Sequence, residues 1–441
     1  MTREIYSEKK ESNGYYVLKQ LELEPDNPRD IIRGWGESFI NMPDTIPFLE
    51  PDTVDELCTY LDFEENTVRV LKSYIPIVRN TPPLKAYIWH LYYRLLTPSF
   101  SFGAFPAGFY GFPMVKKYFP EHPGCTLLIA VLGAVLKARE RYRRDGVSEE
   151  IIRDTLITAL GHDKNGRKFH TGEVGMQPAS FGWFRIYAEA RLFQLGRFNF
   201  ELMETSPFGL VLRNRRDRRK VMLMEPGLKF NSRGYCLKEK DPWGDPICDP
   251  FADQIFTSEL EYLPDGWRGY PVDPHGFVLK EKVFFQSAEW ESVLEPGDVT
   301  IDMHIPDGGD MTPGRCRESF ARAFEYFGSR YPGKHKAVII SHSWIFNTQF
   351  EERLPESNLA KLMRECYLFP HPSCGQDGFY FIFGKYFHRE ELASAPRDNR
   401  LKQAMLDLAM SPEQLRCGSM LFFHEDLEDF GRQHYRKEFR L

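Results

Sequence analysis

The residues best suited to chemistry in this 441-residue chain gather in one stretch, IDMHIPDGGDMTPGRCRESFARAFEYF, residues 301–327. His304 closes an apolar run there, and an imidazole at a strand end can exchange a proton near neutral pH. Gly308 and Gly309 follow, and glycine backbones can turn their N–H groups toward an anion. Thr312 then reads as an N-cap, with Pro313 at the first helical position. Strand, glycine turn and helix in that order is how several unrelated folds hold a phosphate. Arg315 and Arg317 fall in the first helical turns, where the helix dipole disfavours a cation by roughly 0.3–1 kcal/mol. A bound anion would offset that cost; the alternative is that both arginines point into water.

The segment GDMTPGRC, Gly309 to Cys316, nearly spells the triphosphate-binding GxxxxGKS. It fails at the residues that matter: Arg315 stands for the lysine, Cys316 for the magnesium-binding hydroxyl, and Pro313 removes an N–H. The next apolar run, AVIISHSWIF, ends in Ser341, His342, Ser343 and Trp344 with no GxSxG elbow around its serines. Two successive strands with polar ends suggest one shared site, although a histidine in such a place is often a structural hydrogen-bonding residue. The run RNRRDRRK, 213–220, reads as a solvated hairpin tip or a patch for a phosphate-bearing ligand. Paired carboxylates on one face and a GxGxxG turn are both expected to be absent.

The elements around these residues divide into two regions. From about 50 to 160 the apolar spacing is helical. Thr53 with Glu56 reads as a capping box, and further helices are expected over Leu84–Leu96, Cys125–Arg143 and Ser148–Leu160. The aromatic, glycine- and proline-broken segment at 100–113 reads as a loop pinned to the core or as an apolar wall for a greasy ligand. Residues 161–182 read as a linker, and WFRIYAEARLFQL as a short amphipathic helix. After it the period changes to two. GRFNFELME is a strand pattern, and further strands are expected at Leu210–Leu212, Val221–Met224, Phe277–Lys282, Val299–His304, Ala337–His342 and Phe379–Phe383. Helices are expected at Pro313–Tyr326 and Asn358–Cys366. This is a mixed α/β layout with a partly parallel centre. The expected domains are a helical one over 1–190 and an α/β one over 191–441.

A net charge of −6 argues against a general nucleic-acid binder. Eight scattered cysteines without a CxxC pair or a nearby histidine cluster imply reduced thiols in a cytoplasmic protein and no metal site. The polar N-terminus offers no targeting signal, and the longest apolar run, TLLIAVLGAVL, is about half a membrane span.

GRFNFELM, the segment from Trp290 through Phe327, and AVIISHSWIFNTQFEERLPESN together resemble the bacterial acyltransferase family that joins a helical N-acyltransferase N-terminal domain to a GNAT-like C-terminal domain. The matching motifs are Leu195–Glu201, Pro296-Gly297-Asp298 before His304-Ile305-Pro306, and Ser343-Trp344. The resemblance implies a GNAT-like α/β fold that uses acyl-coenzyme A as co-substrate. It implies that the fourth strand, Val299–His304, and the fifth, Ala337–His342, splay apart, with the pyrophosphate on the loop Asp307–Pro313. Ile305, Asp307, Gly308, Gly309, Thr312 and Arg315 are then the cofactor-binding residues. His304, or Glu201 through a water, would take a proton from an amine or other small acceptor, and Ser343 would hydrogen-bond or meet the leaving thiolate. The usual GNAT loop pattern is missing, and where the family's Tyr would follow Asn358 stands Glu365. A catalytically silent GNAT-like module that binds a ligand or partner is the alternative.

Overall fold

The structure, a computed structural model, describes residues 13–97, 112–160, 173–205, 208–246 and 249–441. Most of the aromatic segment at 100–113 and most of the expected linker at 161–182 lie outside the described residues. The chain forms two compact units, residues 1–194 with 306–308, and residues 195–305 with 309–441.

The first unit is helical. Its main helices are α1 (Pro51–Tyr60), α2 (Glu65–Asn80), α3 (Pro82–Leu96), α4 (Cys125–Arg144), α5 (Glu149–Ala159) and α6 (Pro178–Ala188). α4 is its axis, with every residue from Cys125 to Val135 buried. Gly133 is required there: a Cβ would sit 2.4 Å from the Phe48 ring and 2.7 Å from that of Tyr92. The Ser148 side chain caps α5 by accepting from the Ile151 N–H at 3.4 Å. Thr53 and Glu56 do not form the expected capping box. α1 starts three residues earlier, with Glu50 at the cap and Pro51 at the first helical position, where a missing N–H costs nothing. α2 falls in the region expected to be helical, although no helix was placed there, and it carries Pro76 inside it. A strong apolar stripe, Val70, Leu71, Ile75 and Val78, is nevertheless buried along it. The amphipathic helix near Trp183 begins earlier, at Pro178, and ends at Ala188, before Ala190 takes a left-handed φ of 56°.

The second unit is built on a six-stranded sheet. In chain order its strands are β1 (Phe193–Leu195), β2 (Phe198–Glu204), β3 (Val299–His304), β4 (Val338–Ser343), β5 (Tyr367–His371) and β6 (Cys417–Phe423). Their spatial order is β1-β2-β3-β4-β6-β5. β3 and β4 are parallel, while β2 with β3, β4 with β6 and β5 with β6 are antiparallel. The parallel pair needs a crossover, which helix α7 (Pro313–Arg330) supplies. α7 buries Phe320, Phe324 and Phe327. Ser319, on the same helix, fixes the β1–β2 turn. Its hydroxyl donates to the Leu195 carbonyl at 2.5 Å and accepts from the Phe198 N–H at 3.1 Å. Gly196 in that turn has φ 77°, and a Cβ there would meet the Ser319 backbone at 3.2 Å.

A second, five-stranded antiparallel sheet contains Gly209–Asn214, Lys220–Met224 and Trp290–Leu294. The turn between its first two strands is exposed at 215–218, as expected of a solvated tip, but its flanks are tied to acidic partners. Arg213 meets Glu291 at 2.5 Å and Glu425 at 2.9 Å, and Arg218 meets Glu425 at 2.7 Å. The Lys220 side chain is only 1% exposed, with Nζ 2.8 Å from both Glu425 and Asp426. A lysine with no water around it must be paired, and residues 425 and 426 supply both partners.

Two expected strands are corrected. Phe277–Lys282 forms a strand only at Phe277–Val278, and pairing resumes at Val283–Gln286. Phe379–Phe383 is a short helix. Gly378 and Gly384 on either side of it have φ of 85° and 79°, which bends the backbone out of any extended path. Helical spacing then brings the Phe379 and Phe383 rings to 5.1 Å.

Candidate active site

β2 and β3 pair with Asp302 opposite Glu201 and His304 opposite Asn199. Side chains alternate along a strand, so Asn199, Glu201, Asp302 and His304 share one face of the sheet. Their burial is unusual for polar groups: Glu201 is 2% and Asp302 6% exposed. His304 Nε2 lies 3.1 Å from Glu201 Oε1 and 3.1 Å from Asp302 Oδ2. Paired carboxylates on one face, expected to be absent, are thus present, with an imidazole between them.

Burial alone would hold the His304 imidazole neutral. The hydrogen bonds to Asp302 and Glu201, with their negative charge, outweigh it and push its pKa up to about 9. His304 therefore carries its proton at neutral pH, a state suited to giving a proton before taking one. An imidazolium held at Nε2 by two carboxylates is equipped to donate, to steady developing negative charge, or both. The ligand-capable atoms of Glu201, Asp302 and His304 lie within 4.8 Å of one another. These three are residue types that could hold a metal ion, a cluster the sequence was not expected to contain.

The next strand parts from β3 at this level. The β3–β4 register ends at Asp302 opposite Ile340, although β3 continues to His304 and β4 to Ser343. The Met303 carbonyl is met instead by the Ser341 hydroxyl at 2.7 Å. A side chain longer than a backbone N–H now spans the gap, so the two strands diverge toward their C-terminal ends. Such an opening between parallel strands is where ligands of open α/β sheets bind.

Of the expected catalytic residues, the structure brings His304 and Glu201 together and leaves Ser343 apart. Strand alternation puts Ser343 on the face opposite His304, and its Oγ accepts from the Ile345 N–H at 3.4 Å, capping a short 3-10 turn. Its proton remains available to donate. Glu365 is occupied structurally, accepting from the N–H groups of Gly431 at 2.7 Å and Gln433 at 3.1 Å.

In the loop after β3, Asp307, Gly308 and Gly309 are exposed, and Ile305 is half-buried. Gly308 and Gly309 have φ of 79° and 72°, the left-handed region that glycine enters without strain. Thr312 holds the N-cap position of α7, but its side chain does not cap the helix. Asp310 Oδ1 instead accepts from the Thr312 N–H at 3.2 Å. The Asp310 carboxyl is held below its usual range, first by that hydrogen bond. Arg315 lies 3.8 Å from the same carboxylate and Arg317 3.3 Å from Glu428. The anion expected at this helix start is thus represented by the chain's own Asp310, and both arginines are exposed side chains with loose acidic partners.

Asp302 was missed in the sequence. The signal was there: an Asp two places before His304 in a strand must share its face.

Residues 192–420 match the family model described as GNAT-like C-terminal domain, and residues 52–188 match that of the N-acyltransferase N-terminal domain. None of the curated proteins matches the chain. Two solved structures similar to it are an acyltransferase in complex with decanoyl-CoA and teicoplanin and one in complex with CoA and 10C-teicoplanin. Each is 16% identical, with a TM-score of 0.59 over 93% of this chain and 99% of that one. At that identity the likeness is one of fold. The helical first unit, the mixed sheet with its parted parallel strands, and the two matched models lead to one statement: the chain belongs to the acyltransferase family that joins an N-acyltransferase N-terminal domain to a GNAT-like C-terminal domain.

Proposed function

We propose that the chain transfers an acyl group from an acyl-coenzyme A thioester to an amine or other small nucleophile in the opening between β3 and β4. The observation that carries this reading is the protonated His304, set by Glu201 and Asp302 at the mouth of that opening. Attack on a thioester carbonyl builds negative charge on oxygen and then expels a thiolate. A fixed imidazolium at the mouth stabilises the first and can protonate the second. Glu201, buried beside it, relays a proton through His304 or a water. Ser343, at the end of β4 on the other face of the sheet, would supply a hydroxyl donor to the pantetheine arm and not to the leaving thiolate that His304 serves. The similar structures hold CoA, decanoyl-CoA and teicoplanin, which supports an acyl-coenzyme A donor and a small-molecule acceptor.

The pyrophosphate would rest on the loop from Asp307 to Pro313, with backbone N–H groups around Gly308 and Gly309 directed at it and Ile305, Thr312 and Arg315 flanking it. Asp310 must then release the Thr312 N–H to the phosphate.

Acetyl-, decanoyl- and free coenzyme A, each titrated against thermal unfolding, test the reading. A donor at 100 times its Kd should stabilise the fold by about 2.7 kcal/mol. Gly308→Val with Gly309→Val forces a β-branched residue into left-handed backbone, and donor affinity should fall by about tenfold or more. The loop is exposed, so the unliganded fold should change little. No shift with any of the three ligands would remove the cofactor assignment. Thiol-release assays with small amines and glycopeptides as acceptors then separate acceptor classes.

A further inference from the structure

His342 stands on β4 where His304 stands on β3. Asp302 pairs with Ile340, and two residues further along each strand are His304 and His342, on the same face of the sheet. The backbone pairing has ended by then, so the two histidines stand at the unpaired ends of neighbouring strands. The His342 ring is held in place. Ser419, directly opposite on β6 and fully buried, lies with Oγ 2.6 Å from His342 Nδ1. Phe369 meets the ring edge-on at 5.8 Å, and the His371 ring lies at 5.0 Å. Among the described residues nothing hydrogen-bonds Nε2.

We propose that His342 receives the proton of the attacking nucleophile at Nε2, with Ser419 as the positioning residue that keeps the other ring proton on Nδ1. The proposal rests on the acyl-transfer reading. Its electrostatic setting agrees with the geometry. Burial first, and then His371, lower the His342 pKa to about 4, against a smaller upward pull from Asp302. His342 is therefore neutral where His304 is charged. Two titratable groups at one site with pKa values driven apart divide the roles of base and acid between them.

The step balances as follows. The acceptor nitrogen forms a bond to the thioester carbonyl carbon, and the N–H of that adduct, strongly acidic once the nitrogen is cationic, gives its proton to His342 Nε2. The adduct collapses with breaking of the C–S bond, and the thiolate takes the proton of His304. Amide and free thiol leave; His342 loses its proton to solvent and His304 regains one.

Single-turnover amide formation in the full chain, with the donor that the wild type uses best, tests this. His342→Gln should lower the rate on the order of 100-fold while leaving the donor-induced thermal shift intact. Added imidazole should restore part of the rate in His342→Ala, which a purely structural role would not allow. Ser419→Ala should lower kcat about tenfold with KM unchanged, and Ser419→Thr should recover most of it. If His342→Gln does not fold, the Ser419 pair and the imidazole rescue decide. A His342→Gln rate within about threefold of wild type, or no rescue and unchanged kcat in Ser419→Ala, overturns the assignment. A wild type that transfers no acyl group from any donor overturns the acyl-transfer reading instead, and His342 as its base falls with it.

Discussion

His304→Ala should lose at least about 100-fold in acyl transfer and, at neutral pH, on the order of 3 kcal/mol of stability in the second unit. The two losses have one origin. Glu201 and Asp302 lie directly opposite each other on neighbouring strands, both buried, and His304 is the cation between them. Without it, one of the two carboxyls must take up a proton to remain in place. The wild type avoids this penalty through the His304 imidazolium. The His304 pKa is raised from 6.5 to about 9 in the folded state. Its contribution is complete below pH 6.5 and is lost as pH rises through about 9. Adding Asp302→Asn to His304→Ala removes the repulsion and should restore much of the stability but none of the turnover. Denaturant titrations of the three proteins across this pH range, with kcat measured alongside, check both halves. Equal activity in His304→Ala and wild type would mean that the reaction runs elsewhere.

Lys220→Ala should cost the second unit about 3 kcal/mol, the penalty for leaving the buried Asp426 carboxylate without its ammonium partner. Folded domains are stable by only about 5–15 kcal/mol, so this is a large fraction of the whole. The ammonium is the closed centre of the ion-pair group, touching Glu425 and Asp426 and lying 4.9 Å from the Phe423 ring. Arg213 and Arg218 are more exposed members, and their single replacements should each cost about 1 kcal/mol or less. Acid weakens the same group. Burial raises the Glu425 pKa, but hydrogen bonds from Lys220 and the two arginines bring it down to about 2. That stabilisation is present above the ordinary carboxyl value of 4.5 and is lost as pH falls toward 2. Urea melts at pH 7 and pH 3 should show a large gap between wild type and Lys220→Ala at the first pH and a smaller one at the second. A gap below about 1 kcal/mol at pH 7 would contradict the pairing.

Much of the catalytic half was legible because strands announce themselves by alternation. Phe198 and Phe200 against Asn199 and Glu201 fixed β2, and the apolar run to His304 fixed β3. Family motifs pointed to the same strands. What the sequence did not reveal depended on partners remote in the chain. Nothing near Asp302 says that Glu201, about a hundred residues earlier, lies across from it, and without that neighbour the state of His304 reads as an ordinary imidazole. Lys220 looked like one more surface cation in RNRRDRRK because its carboxylates come so much later. Phe379–Phe383 satisfied every compositional rule for a strand, and two glycines at left-handed angles overruled them. α2 lay in the region read as helical without being placed, and it carries Pro76, whose cost is met by the apolar stripe around it.

The pairing of Lys220 with Asp426 also sets an order of events during synthesis. The two residues are 206 positions apart, so a ribosome adding roughly 5–20 residues per second makes the lysine some 10–40 s before its partner. Through that interval the ammonium needs water, and the hairpin that carries it cannot close over it. Residues 420–438 also bring Tyr435 to the Phe423 N–H, Arg436 to Glu351 and the amides of Gly431 and Gln433 to Glu365. The second unit is therefore completed by its later residues: the segment at 420–438 is the one that lets the earlier strands settle.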